Sequence, residues 1–395
     1  MKTPGKCRGG HALHGQLRAV ATLLLLGLAA CGRADRAQPA SAGLGDSVPT
    51  SQAWSLKELA TIRSSDDDPF MNLRSLALDG DGNVYVLDLG ARKIRVFDST
   101  GAPLRTIGRE GRGPAEFLSP YSLAWTGDTL VVFDPGNGRL ELVTRDGQHA
   151  ATWPGSRITG GPQVRLWQAG PSRFFQNGFR GGADGALQML YVTGGPDGGS
   201  DTLIIPPATD AGKDALLQCD GENGSIYFFD VPHASHRLNA VSPDGRVVAA
   251  HTGEYRFTWF APDGTPQNIM AYGATPIPIS EAAWDSARAE YAAWRNGLPP
   301  AECDHTGLPR PPAEPAFRSV EFDDQGRMWV EATKETGHRF DVWEPMTGKR
   351  FASFPAPVRD EGVPFVVRGE RVVVVRNEND GQVVALYRLS EDPGN

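Results

Sequence analysis

No apolar stretch in the 395 residues reaches the roughly 20 consecutive positions that a bilayer-crossing helix needs. There is no Gly-x-Ser-x-Gly, no His-Glu-x-x-His, no phosphate-cradling glycine loop and no dinucleotide fingerprint. The common motif-borne hydrolase, metalloprotease and nucleotide chemistries therefore have no foothold. Gly45-Asp46-Ser47 is linker composition, not a nucleophile. Positive charge is scarce: 39 Lys and Arg stand against 47 Asp and Glu. An acidic chain leaves no electrostatic footprint for nucleic acid. Cysteine is scarce as well, four in all, with no C-x-x-C and no zinc-ligand spacing. Asp79-Gly-Asp-Gly-Asn83 imitates the opening of a calcium loop, but Val84 stands where the loop needs glycine and Gly90 where it needs glutamate. It reads as a hairpin turn, and nothing in the sequence calls for a cofactor.

What is present begins with a processing signal. Lys2, Lys6, Arg8 and Arg18 form a basic start without an acidic residue, and Val20 to Ala30 is a short apolar run. Leu28-Ala29-Ala30-Cys31 resembles the bacterial lipobox, which implies cleavage after residue 30 and a diacylglycerol on Cys31. Losing the four basic residues of 1–30 leaves 35 basic and 47 acidic side chains, a net of −12. Such a surface opposes anionic lipid, so membrane contact is expected through the lipid alone. Gly32, where an aspartate would suggest inner-membrane retention, favours the outer membrane by family analogy. Residues 31–52, rich in Ala, Ser, Pro, Gly and Asp, read as a flexible tether.

From Trp54 onward the chain repeats. Leu73 to Leu78 alternates, Asp79 to Asn83 turns, and Val84-Tyr-Val-Leu-Asp88 and Lys93-Ile-Arg-Val-Phe97 follow before a second turn at Gly101. Tyr121 to Gly147 and Leu238 to Gly264 repeat the pattern: Phe97, Val143 and Phe260 each lie nine positions after Asp88, Asp134 and His251. Period-2 strands joined by Asp-Gly turns are antiparallel hairpins, and several per forty-odd residues mark propeller blades. Gly108-Arg-Glu-Gly-Arg-Gly-Pro-Ala-Glu-Phe117, with Pro120 and the strands through Asp134, Asn137, Arg139 and Leu140, resembles an NHL repeat. The chain from residue 53 to 391 is similar to the six-bladed β-propeller lipoproteins of bacteria (the NHL-repeat and TolB-like propellers). Blade three is placed on Arg173–Gln176, Leu187–Val192 and Thr202–Ile205, blade five on Arg318 to Trp343, and blade six on Phe365 to Tyr387. The strand Trp54 to Ile62 then completes the sixth sheet and closes the ring, which removes aggregation-prone edges.

An insertion at about 272–314 breaks the β pattern. Ser280 caps a helix through Arg295, with Trp284, Ala287, Tyr291 and Trp294 on one face. It reads either as a helix packed on the propeller or as a ligand-gripping lid. Cys219 and Cys303, each in a long connection between blades, are expected to form a disulfide.

Two functions from different classes compete. The first is a non-enzymatic recognition or scaffold module, binding an unknown protein or small molecule on the face that carries the insertions. That face gathers Asp88, Arg92, Arg109, Arg112, Asp134, Asn137, Arg139, His251, Tyr255 and His338. The second, implied by the resemblance, is a lactonase-like hydrolase or lyase, whose central divalent metal would call on Asp88, Asp134 and His251. Asp88 and Asp134 also have a plainer role in the NHL pattern, holding their own loops. A lone histidine such as His251 is more often structural.

Overall fold

The computed structural model describes residues 50–155, 165–168, 173–181, 187–194, 201–204, 216–221, 226–296, 301–302 and 308–391. The chain divides into two units, Met1–Ala40 and Ser41–Asn395, and everything described belongs to the second. The signal segment, Cys31 and most of the tether lie outside the described residues.

The sheets follow from local chemistry. After β1 (Trp54–Ile62) come β2 (Leu73–Leu78), β3 (Val84–Asp88), β4 (Lys93–Phe97) and β5 (Pro103–Ile107), paired antiparallel in that order. Asp79 makes the first turn. Its Oδ1 accepts the backbone N–H of Asp81 (3.0 Å) and Asn83 (2.9 Å), while Gly82 takes a φ of 81° that a side chain would strain. The same arrangement repeats in β6 (Ser122–Thr126), β7 (Thr129–Asp134), β8 (Arg139–Thr144) and β9 (His149–Pro154). Next come β10 (Leu166–Gln168), β11 (Phe174–Gly181), β12 (Leu187–Gly194) and β13 (Asp201–Ile204), then the hairpin β14 (Leu216–Gly221) and β15 (Ile226–Asp230). A further four-stranded sheet is β16 (Arg237–Val241), β17 (Val247–His251), β18 (Arg256–Phe260) and β19 (Pro266–Ala271). Helix α1 (Glu281–Asn296) and β20 (Ala301–Glu302) precede the sheet β21 (Phe317–Phe322), β22 (Met328–Thr333), β23 (His338–Glu344) and β24 (Lys349–Pro355). Last are β25 (Val366–Arg368), β26 (Arg371–Glu378) and β27 (Gly381–Glu391), and β1 joins this sheet beside β27. Trp54 pairs with Glu391 and Ile62 with Val384, so the two ends of the domain share one sheet, as the sequence predicts.

The fold is an all-β propeller of four-stranded antiparallel blades with one helix. Five blades are found, one fewer than the six expected. The unit read as blade three is the least fully described. Its backbone pairs as β10-β11-β12-β13, but the described side chains there are only 165–168 and 173–177. Its first strand, Leu166–Gln168, is three residues long and escaped the sequence reading. A second departure is the three-stranded sheet β15-β14-β20, which occupies part of what was expected as plain connection. Cys219 lies in β14, while Cys303 lies outside the described residues, as does the expected disulfide.

The core sits between sheets. Tyr85, Leu87, Ile94 and Val96 of one blade meet Leu123, Trp125, Leu130 and Val132 of the next. Trp329, Phe340 and Phe354 meet Val372, Val374 and Ala385 of the closing sheet in the same way. Each fully buried residue of this size contributes roughly 1.5–3 kcal/mol through the apolar surface it removes from water. The third strand carries a recurring exception, because Arg95, Glu141 and Asp341 are all buried at its centre. Glu141 accepts the Ala115 N–H (2.6 Å) and the Thr152 hydroxyl (3.0 Å), and Asp341 accepts the hydroxyls of Tyr255 (2.9 Å) and Ser353 (2.6 Å). These fixed charges tie the third strand to the outer strand or to a neighbouring connection.

Helix α1 starts as expected, with Ser280 Oγ accepting the Ala283 N–H at 3.1 Å. Trp284 and Tyr291 are buried against Val231, Ile279 and Leu308. The packed reading therefore describes these two side chains, while that of Trp294 lies outside the described residues.

Candidate binding site

Most of the ten expected face residues hold loops together. Asp88 is fully buried and accepts the backbone N–H groups of Met71, Asn72 and Ala91, each at 3.0 Å, beside an ion pair with Arg95. Burial works to raise its pKa. The bonds from Met71, Ala91 and Arg95 outweigh that and hold the carboxyl below its ordinary range. In the second blade Asp134 makes the corresponding contacts, accepting Leu118 N–H (3.1 Å), Ser119 N–H (2.9 Å) and the Asn137 amide (2.7 Å). Asn137 also donates to Gly111 O (3.0 Å). Arg139 donates to Gly113 O (2.7 Å), Glu116 O (2.9 Å) and Arg112 O (3.1 Å). The glycine-rich loop is thus caged by two residues of its own blade. Gly108 turns it with a φ of 80°, at a point where a Cβ would strike the Phe117 ring.

Two of the guanidiniums offered for ligands are already engaged. Arg92 pairs with Glu110, and Arg109 with Glu116 at 2.8 Å. His251 is half-buried, and its Nδ1 accepts the Gly253 N–H at 3.3 Å. Tyr255 is buried, and burial, then the Asp341 carboxylate, push its phenol well above the ordinary value. His338 is half-buried. Burial and the nearby Arg318 push its imidazole down, against the pull of Glu331.

None of these ten residues lines the large cavity of the propeller. That cavity, about 850 Å³, is walled by the innermost strands β2, β6, β10, β16, β21 and β25 and the segments leading into them. Hydrogen bonds keep neighbouring inner strands level: Ser75 Oγ accepts the Leu123 N–H (3.1 Å) and Ser122 Oγ the Leu166 N–H (3.0 Å). The strand starts therefore gather at one mouth, on the face of the connections between blades. Arg74, Arg165, His233, His236, Arg318 and Glu361 are found there. Leu76, Leu123, Leu166, Leu238 and Phe365 line the middle, and Trp125, Phe322 and Arg368 the far end.

The charges at the mouth are interlocked across blades. Arg165 reaches Glu321 at 2.7 Å, and His233 reaches Glu314 at 2.8 Å. Arg359, almost fully buried, pairs with Glu331 and also donates to Ser319 Oγ at 2.9 Å. Arg318 lies between Glu361, its ion-pair partner, and Glu314 at 3.7 Å. Charge was expected at the ends of second strands, whereas Arg74 and Arg318 are the second residues of inner strands.

A central metal does not fit the residues proposed for it. Asp88 and Asp134 are consumed by their own loops, and among the described residues no three His, Cys, Asp or Glu side chains converge on a common point. Nor is any helix among them long and apolar enough to cross a membrane.

No family model and no curated protein matches the chain. Solved structures do resemble it. A Bacteroides fragilis protein described as exported is 12% identical, with 89% of this chain and 98% of that one covered and a TM-score of 0.44. Virginiamycin B lyase from Staphylococcus aureus is 9% identical, covering 85% and 99%, with a TM-score of 0.44. A gluconolactonase from Xanthomonas campestris is 14% identical, covering 85% and 89%, with a TM-score of 0.45.

Proposed function

We propose that this chain is an envelope-anchored recognition module whose propeller presents its central channel to a small molecule or protein partner. The channel carries the reading. It is of ligand size, about 850 Å³, walled by rigid strands, and combines an apolar middle with charged groups at one mouth. Most of the ten face residues take a supporting part, because they fix the loops around that mouth.

The sheet β10–β13 is the sixth blade of this propeller. Supporting this, β10 touches both β6 and β16, and β25 touches both β21 and β2, so the inner strands form a closed circuit. Core residues also lie on either side of β10–β13, Leu166 and Phe174 toward the second blade and Trp167 and Phe175 toward β16–β19. The resemblance of Gly108–Phe117 to an NHL repeat belongs to the same reading. The anchor is a lipid on Cys31, residues 31–52 are the tether, and the outer membrane is the location. The protein surface itself engages neither membrane nor nucleic acid, as its net negative charge suggests.

Crosslinking in native membranes followed by affinity capture tests the module, and Cys31→Ser tests the anchor. The serine variant is expected in a soluble or unprocessed form. If it stays membrane-bound with unchanged mobility, the lipid anchor is wrong.

A further inference from the structure

We infer that the channel mouth takes the carboxylate of an organic acid on Arg318, and that this carboxylate displaces Glu361 from the guanidinium. The inference rests on the reading of the channel as the recognition site and names the class of ligand.

Arg318 is the second residue of β21, and its side chain is about one quarter exposed at the mouth. Two carboxylates face its guanidinium. Glu361 pairs with it and Glu314 stands off at 3.7 Å, while its Nε–H is buried with no acceptor among the described residues. Burial, with the charge of Arg359 nearby, draws its pKa below the ordinary arginine value, against the pull of Glu314 and Glu331. Glu331 is itself engaged, bound to Arg359 and to the Ser319 hydroxyl.

Glu361 is the loosest member of this set. Its side chain is half exposed, whereas those of Glu314, Glu321 and Glu331 are 15%, 9% and 1% exposed. It lies on a short turn held by Asp360, which accepts the Gly362 N–H (2.9 Å) and the Gln382 amide (2.9 Å). A ligand carboxylate that replaces it exchanges one ion pair for another and returns Glu361 to water at little cost. Below Arg318 the wall carries Ser319 and the Arg165–Glu321 ion pair together with Leu238, Phe322 and Phe365, so the acid that fits carries its carboxylate on an apolar or aromatic body that rests on the three apolar side chains.

The test uses 2-naphthoate and its uncharged analogue 2-naphthamide in equilibrium dialysis against the purified mature protein. The acid is expected to bind and the amide to bind at least about tenfold more weakly. Arg318→Gln should weaken the acid by about tenfold or more and leave the amide unchanged. Glu361→Gln should tighten the acid several-fold, an effect that a purely structural ion pair would not produce. Because this variant keeps Arg318, it decides the matter even if Arg318→Gln fails to fold. Equal binding of acid and amide would overturn the carboxylate assignment while leaving channel recognition standing. Failure of the acid to bind wild type and Glu361→Gln would overturn it as well. Capture of a native partner whose binding ignores both variants would do the same.

Discussion

Asp88 and Arg95 lie side by side in the first blade with almost no contact with solvent. Such a pair is weak evidence of net stability, and Arg95 keeps Asp68 as a second partner, but removing Asp88 also leaves the N–H groups of Met71, Asn72 and Ala91 without their acceptor. Asp88→Ala is therefore expected to cost about 3–5 kcal/mol, read from urea denaturation. The pH dependence follows from the same contacts. Asp68 is held at about 2 by Arg95 and then Lys93, and Asp88 is also depressed when folded. Groups with lowered folded pKa values stabilise above the unfolded value of about 3.9, and that stability goes as pH falls through the folded values. Wild type should thus lose stability steeply below about pH 4, and Asp88→Asn should flatten that fall. A denaturation series from neutral pH to about pH 2 checks the slope. An unchanged slope in the variant would rule out this role for Asp88. The loop-holding role was legible in the sequence, because an aspartate closing a strand beside a turn has backbone donors within reach. The ion-pair surroundings of Arg318 were not. An arginine within an inner strand looks like any exposed strand residue until neighbouring blades bring Glu361 and Glu314 around it.

At the level of elements, legibility tracks how regular each unit is. The hairpins with Asp-Gly or related turns, the capped helix and the return of Trp54–Ile62 to the last sheet follow from period and turn chemistry. What escaped were β10, too short to show a period, and the pairing of β14 with the two-residue β20. That pairing bears on the thiols. Asp220 lies opposite Glu302 across antiparallel strands, and Cys219 and Cys303 are the sequence neighbours of these two. A Cys219–Cys303 disulfide remains our proposal. It would join the β14–β15 hairpin to the chain beyond the helix and add roughly 2–4 kcal/mol. Thiol titration of denatured, unreduced Cys31→Ser protein should find only the thiol of Cys7 in the unprocessed form, and none after processing. Two further free thiols would refute the bridge.

For the molecule as a whole, the seam at β1 and β27 matters most. Removing residues 50–63 would strip the closing sheet of one strand and leave β27 as an open edge beside exposed apolar surface. The truncated protein is expected to aggregate, which light scattering at micromolar concentration would detect. If it stays monomeric with an unchanged melting temperature, the seam is dispensable. The seam also sets an order in time. Trp54 is among the first residues of the domain to emerge from a ribosome or translocon, and its partner Glu391 is among the last. For the whole interval the earliest strand has no mate. The final step of folding must bring together the most widely separated parts of the chain, a contact order that slows closure. Until then each half-built ring carries an open edge of its own, and the interval from first strand to last is the period in which the protein most needs a chaperone.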